Sequence, residues 1–303
     1  MGTSNVVGSV ARLWRFPVKS MLGERLEQAE ITGDGLLGDR AYGLIDLETG
    51  KVASAKSVRL FPDLFGCRAT FVEAPRSGHD LPPVRIALPD GTSVTSDSGG
   101  VDGVLSAHFQ RDVTLARAAP EDYTIDMYHP NVEDSNPAGL RDASVDQKLG
   151  AALFDELGIP SPVAVGSLVD VYPVSVLTTS TLGHLSELRP QSNFDERRFR
   201  MNVIVDTVHA GFIENDWVSH ELVIGGTARL KVVTPDARCV MTTLAQDDLP
   251  KDTDILRTLV RHNRIQIAGG RRLPCAGVYA EVGTPGTVTT GERVALIRHP
   301  GQV

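Results

Sequence analysis

The residues of this 303-residue chain whose types could do chemistry together are Lys19-Ser20, Arg40, Arg200-Met201-Asn202 and Arg238-Cys239. Arginine forks and a lysine ammonium match phosphate oxygens, and Ser and Asn add neutral hydrogen bonds, so brought together they would hold an anion. Taken singly, each suits a solvated surface or an ion pair equally well, since Arg40 has Asp39 beside it and Asp195 stands near Arg200. Lys19 follows Pro17-Val18, where a turn would present both it and Ser20. Cys239 adjoins Arg238, and a neighbouring cation favours thiolate over thiol. The alternative for a lone cysteine is a small buried hydrophobe. Cys67, in the strand-like Cys67-Arg68-Ala69-Thr70-Phe71, takes that second reading.

Other signatures fail on context. Gly33-Asp34-Gly35-Leu36-Leu37-Gly38 satisfies the dinucleotide pattern G-x-G-x-x-G, but a strand-like segment, Asp39 to Leu47, follows where a helix is required. It reads as a glycine-rich turn between strands. No P-loop, nucleophile elbow or His-Glu-x-x-His occurs. Three cysteines without a Cys-x-x-Cys pair give no disulfide framework and suit a reducing cytoplasm. The net charge of −8 disfavours a nucleic-acid partner, and the basic residues form no run. The most apolar stretch, Ser161 to Leu182, is broken by Gly166, Asp170 and Pro173, so neither a membrane span nor a signal peptide is expected.

The elements that must position these residues are mostly strands. Val84, Ile86 and Leu88 alternate with polar or small residues, and Leu222/Ile224, Leu230/Val232 and Val294/Leu296 repeat the period of two. Gly and Pro punctuate them, which favours a barrel or sandwich. Short helices are expected where Val101, Val104, Leu105, His108 and Phe109 share a face, over Leu182 to Leu188, and over Ile255 to His262. A fourth is read from a capping box, Ser144-Val145-Asp146-Gln147, with Leu149, Leu153 and Leu157 inward and a stop at Gly158. Between Ala118 and Ala143 the pattern lapses into prolines and acids, a linker or lid, with Tyr128 and His129 either covering a site or solvated. Trp217 reads as a core anchor.

Four blocks in order, Leu13-Trp14-Arg15-Phe16-Pro17-Val18-Lys19-Ser20, Gly38-Asp39-Arg40, Arg198-Phe199-Arg200-Met201-Asn202 and Asp236-Ala237-Arg238-Cys239-Val240-Met241-Thr242-Thr243, resemble the MOSC proteins, the domains related to the C-terminal part of molybdenum cofactor sulfurase. Within them the chain is similar to the mitochondrial amidoxime-reducing component type and its bacterial relatives. The resemblance implies a mainly β fold with short helices, an N-terminal β-barrel-like domain over 6–118, a loop or linker over 119–143 and a MOSC β-barrel domain over 144–303. It implies a molybdenum–molybdopterin cofactor, with Cys239 as metal ligand and catalytic centre. Lys19, Ser20, Arg40, Thr178, Thr181, Arg200, Asn202 and Arg238 match the cofactor contacts. Met201 stands where relatives often have proline and Ala237 where some have serine. Cys275 aligns near the site as a lining residue.

The activity implied is reduction of small N-hydroxylated compounds. No flavin, haem or iron–sulfur motif appears, so electrons are expected from a separate protein, a ferredoxin, flavoprotein or cytochrome. The same relationship allows a persulfide carrier on Cys239, or a cofactor carrier without turnover.

Overall fold

A computed structural model describes residues 3–136, 139–267 and 270–298. Seven strands close into a barrel: β1 (Thr3–Arg15), β2 (Val174–Thr178), β3 (Val203–Asp206), β4 (Glu221–Ile224), β5 (Ala228–Ala237), β6 (Arg272–Thr284) and β7 (Arg293–Arg298). Their order around the wall is β2-β3-β1-β7-β4-β5-β6, with β6 returning to β2 through Val174↔Ala280 and Val176↔Val278. Only β2 and β3 run parallel in this ring. Closure leaves the ring no open edge, where strands as long as the 13-residue β1 and β6 would otherwise offer one.

Side-chain alternation decides the two surfaces. Val174 and Val176, Val203 and Val205, Leu222 and Ile224, Leu230 and Val232, Val278 and Ala280, and Val294 and Leu296 fill the interior. The intervening Leu177 and Ile204, and Ala276 beyond a register shift beside left-handed Gly277 (φ 80°), face out against helices α3 (Thr179–Leu188) and α4 (Asp254–His262), forming a second cluster with Leu185, Ile255 and Leu259. Trp217 is buried in the barrel interior.

The N-terminal lobe has its own core, in which Met21, Leu44, Phe65, Cys67, Ile86, Leu105 and Val113 meet. A three-stranded sheet (68–71, 84–87, 93–95), a strand pair (43–46 with 113–116) and helix α1 (Val101–Phe109) surround it. The lobes interlock, since β1 lies in the barrel between β3 and β7 and Gln28–Thr32 pairs with Gly286–Thr289. Ala29, Ile31 and Leu36 thereby join the barrel core.

Helices form at all four expected places, but the fourth starts later than its capping box. Ser144 to Lys148 lie in a strand, Ala143–Lys148, which pairs with Thr124–His129, so tertiary pairing overrides the local signal. Helix α2 (Gly150–Leu157) starts after Leu149 and stops at Gly158, whose left-handed φ of 68° caps it. It buries Ala152 and Phe154, while Leu157 is exposed. The stretch read as irregular thus contains a hairpin strand, tied to the N-terminal lobe by Val52 N–H to the Thr124 carbonyl and Tyr128 N–H to the Lys56 carbonyl. The G-x-G-x-x-G glycines serve packing. Gly35, at φ 111°, leaves room for the Pro173 carbonyl, which a Cβ would meet at 2.4 Å.

Candidate active site

Seven of the sequence-selected residues, Lys19, Ser20, Arg40, Arg200, Asn202, Arg238 and Cys239, line one cavity between the N-terminal lobe and the barrel. Lys19 and Ser20 lie on the turn after β1. Arg40 arrives because Lys19 N–H donates to the Tyr42 carbonyl at 2.7 Å and Arg40 N–H to the Phe16 carbonyl at 2.8 Å. Asn202 precedes β3, and the Asp236–Cys239 segment leaves β5, held where Arg238 N–H meets the Pro274 carbonyl at 2.7 Å. Ser20, Arg40 and Arg200 all adopt left-handed backbone, at φ 63°, 48° and 55°. For non-glycine residues this costs about 1–3 kcal/mol each, and such strain gathers where a fold holds side chains for a purpose.

The wall carries six cations, Lys19, Arg40, Lys56, Arg198, Arg200 and Arg238, against three carboxylates, Asp39, Asp170 and Asp236. Asp170 bridges Lys19 and, at 2.5 Å, Lys56. Burial works to raise Asp170, yet the two ammonium groups outweigh it and hold the carboxyl far below its usual range. Burial pulls Lys19 down to about 8 against the pull of Asp170. For Lys56 burial is outweighed by the charges of Asp170 and Cys239, so it stays raised. Arg40 pairs with Asp39, which also accepts from Phe16 N–H at 2.7 Å and from the Asn202 amide at 3.0 Å. Asn202 Oδ1 takes Ser175 N–H and hydroxyl, so its amide braces the wall.

Arg238 is a latch. Its Nε donates to the Ala276 carbonyl at 2.9 Å, Nη1 to the Phe199 carbonyl at 2.8 Å, and Nη2 to Asp236 at 2.5 Å. Met201, where relatives often have proline, also turns its sulfur to Nη2. Burial pushes Asp236 up to about 6 despite Arg238.

Arg200 differs from Lys19, Arg40, Lys56 and Arg238, each of which has a carboxylate partner, and from Arg198, which has none among the described residues but gives its guanidinium to the Asn193, Leu244 and Pro250 carbonyls. It is buried, donates Nη1 to the Met21 carbonyl at 2.7 Å and stacks over Phe16 at 4.2 Å, yet has no carboxylate within ion-pair distance among the described residues. Burial, then Arg40, pulls it down to about 9. An unpaired buried guanidinium on a cavity wall with surplus positive charge asks for an anion.

Cys239 is half-buried, opening the short turn Val240–Thr243. Cys67 and Cys275 are buried, and burial pushes both thiols up to about 12. Cys275 lies behind Ala237, its strand partner, off the cavity wall, which corrects its reading as a lining residue.

Thr178 and Thr181 are not brought to the cavity. Thr178 caps α3, and both hydroxyls donate to the fully buried Glu214 at 2.7 Å, which also takes Gly277 N–H. Glu214 is raised by burial against these donors. Tyr128 is likewise off the wall, its hydroxyl on Asp142 at 2.9 Å under the Arg59 guanidinium. Sequence reading missed Lys56, Asp170 and the tyrosine pair Tyr172 and Tyr279, whose rings lie 5.7 Å apart on the wall. Asp170 had a signal, a lone charge inside the most apolar stretch. Lys56 had none.

Among the described residues no cluster of three His, Cys, Asp or Glu is placed to hold a metal ion, and no helix is long and apolar enough to cross a membrane.

Comparison with known proteins gives two family matches, a MOSC N-terminal beta barrel domain over residues 7–97 and a MOSC domain over 165–295. Over 302 residues the chain is 24% identical to mitochondrial amidoxime-reducing component 1 of Homo sapiens, covering 96% of this chain and 83% of that one. To mitochondrial amidoxime reducing component 2 of the same species it is 25% identical, covering 95% and 83%. Among solved structures, the YUAD protein from Bacillus subtilis aligns over 99% of this chain and 100% of its own, with a TM-score of 0.45 and 11% identity.

Proposed function

The chain belongs to the MOSC proteins, carrying the N-terminal barrel domain and the MOSC domain in one polypeptide, and from that premise we propose that its cavity holds a molybdenum–molybdopterin cofactor and that it reduces N-hydroxylated compounds. The observation that carries this reading is Arg200, a buried cation without a carboxylate, in a cationic cavity that also contains the chain's one half-buried cysteine. The donor set fits the group. A phosphate matches Arg200, Arg40 and the Lys19-Ser20 turn, and a soft thiolate suits a metal that arrives with sulfur ligands of its own. When bound, the cofactor supplies a redox metal that removes oxygen from an N–O bond.

The chain's own residues then have separable tasks. Arg200 and Arg40 neutralise the anionic end of the cofactor. Lys56, held by Asp170, adds a positive charge to the same wall as Cys239. Arg238, fixed by three acceptors, sets the direction in which the Cys239 turn leaves β5. Tyr172 and Tyr279 form an apolar wall with polar tips, suited to a flat amidine-like substrate. The names of the two human relatives, amidoxime-reducing components, support the substrate class.

The test is metal and pterin analysis of the purified protein, followed by benzamidoxime reduction with methyl viologen as donor. Stoichiometric molybdenum, the fluorescent oxidised pterin and benzamidine formation are expected. A cyanide-labile sulfur on Cys239 without metal would instead indicate a persulfide carrier, and bound cofactor without turnover a cofactor carrier.

A further inference from the structure

Residues 255–280 contain five arginines and one histidine, with no Asp, Glu or Lys, in a chain of net charge −8. Only Arg271 and Arg272 adjoin in the sequence, so the five form no run there; the fold gathers them. Arg257 and Arg261 stand one turn apart on the exposed face of α4, and His262 follows. Arg264 and Arg272 sit on paired strand ends, each guanidinium donating to the other's carbonyl, at 3.1 and 3.0 Å. Arg257 pairs with Asp254 and Arg264 with Asp134, whereas Arg261, Arg271 and Arg272 have no carboxylate within 4.0 Å among the described residues.

This face is the outer side of the elements that hold Cys239. The inner side of α4 packs on the Val240–Thr243 turn that Cys239 opens, and β6 runs from Arg272 to Ala276, whose carbonyl fixes Arg238. We propose that this arginine face is the docking surface for an acidic electron-transfer protein that reduces the site; the proposal rests on the reductase reading above. Two one-electron donors are oxidised per turnover, and their two electrons with two protons cleave the N–OH bond of benzamidoxime to give benzamidine and water. An anionic membrane is a poorer fit, because among the described residues from Arg257 to Arg272 no large apolar side chain is exposed for insertion. Nucleic acid is a poorer fit because the acidic remainder of the chain repels an extended polyanion, whereas a small acidic protein needs only the patch.

The experiment compares the holoenzyme with an Arg261→Glu/Arg271→Glu/Arg272→Glu variant, using a purified acidic [2Fe–2S] ferredoxin and its reductase as probe. Direct binding is measured by isothermal titration at low and high salt. Wild type is expected to bind with an affinity that falls as salt rises, and the variant roughly tenfold or more weakly. Ferredoxin-driven benzamidoxime reduction should fall in parallel, with methyl viologen-driven turnover equal in the two proteins. Equal ferredoxin binding by both, or none by wild type, overturns the proposal. So does binding of phosphatidylserine vesicles or duplex DNA that the variant loses while ferredoxin binding is unchanged. Ferredoxin binding lost in the variant, in a wild type that reduces benzamidoxime with neither donor, sinks the reductase reading alone and leaves the docking surface standing.

Discussion

Replacing Arg200 by methionine should weaken cofactor binding while leaving the cofactor-free protein as stable as wild type, or slightly more so. Its guanidinium is pulled down to about 9 by burial and by Arg40, a drop that corresponds to about 5 kcal/mol spent on keeping the charge in the cofactor-free fold. Methionine removes that penalty, fills similar apolar space and meets the same left-handed backbone, φ 55°. It also forfeits the hydrogen bond to the Met21 carbonyl, about 1.5–3 kcal/mol, and the stacking over Phe16, up to about 2 kcal/mol. The balance lies between about zero and 2–3 kcal/mol in favour of the variant, read as an unchanged or higher urea midpoint for protein made in cells that lack the cofactor. With cofactor, loss of a charge-assisted bond of about 1.5–3 kcal/mol lowers affinity roughly tenfold to more than a hundredfold, read as pterin and molybdenum occupancy under limiting supply. Arg238→Met is the contrast. Its guanidinium satisfies Ala276, Phe199 and Asp236, so that variant should lose about 3–5 kcal/mol. A destabilisation of Arg200→Met as large as that of Arg238→Met would make Arg200 a structural brace and refute the reasoning, as would full occupancy of Arg200→Met at limiting cofactor.

Three further outcomes are expected. In cofactor-free protein at pH 8, iodoacetamide should modify Cys239 well before Cys67 and Cys275, both pushed up to about 12; peptide mapping that finds Cys275 labelled first would contradict the burial argument. Glu214→Leu should cost about 2–5 kcal/mol by orphaning Thr178, Thr181 and Gly277 N–H, with cofactor occupancy per folded molecule unchanged; occupancy falling in step with the lost stability would return the two threonines to the site. Asp236 binds its proton more tightly in the native state, at about 6, than an unfolded carboxyl does, so its contribution to stability falls as pH rises from about 4 through 6, by about 3 kcal/mol at most. The gap between the thermal midpoints of wild type and Asp236→Asn should therefore shift against wild type over that range, and a flat difference would remove Asp236 as its cause.

The barrel was legible because its strands alternate cleanly, Val294 and Leu296 inward on β7 as the period of two requires. The hairpin over 124–148 was not, because Ser144 to Gln147 carries a helix-start signal that only pairing with Ile125 to Tyr128 overrides. In the candidate site, residues lying in motif blocks were found, and seven of them share a cavity. Thr178 and Thr181 were misplaced because a hydroxyl at a strand-to-helix junction looks the same whether it faces a ligand or a buried carboxylate such as Glu214. Lys56 was invisible because its partners, Asp170 and Cys239, are brought to it only by the tertiary fold.

The position of β1 between β3 and β7 also fixes an order of events during synthesis. Apart from its short pairing with Glu24–Leu26, β1 must wait for Val203–Asp206 and then for Arg293–Arg298 before its two barrel neighbours exist, while Gln28–Thr32 waits for Gly286–Thr289. Contacts of this sequence separation form late and slowly. A nascent chain that reaches only residue 200 holds Lys19, Ser20 and Arg40 but neither Cys239 nor a closed ring, so the site is complete only once the later strands are made. Until then the buried residues of β1, Val10 and Leu13, have only the short strand Glu24–Leu26 beside them, and such an unpaired strand is a segment that needs a chaperone.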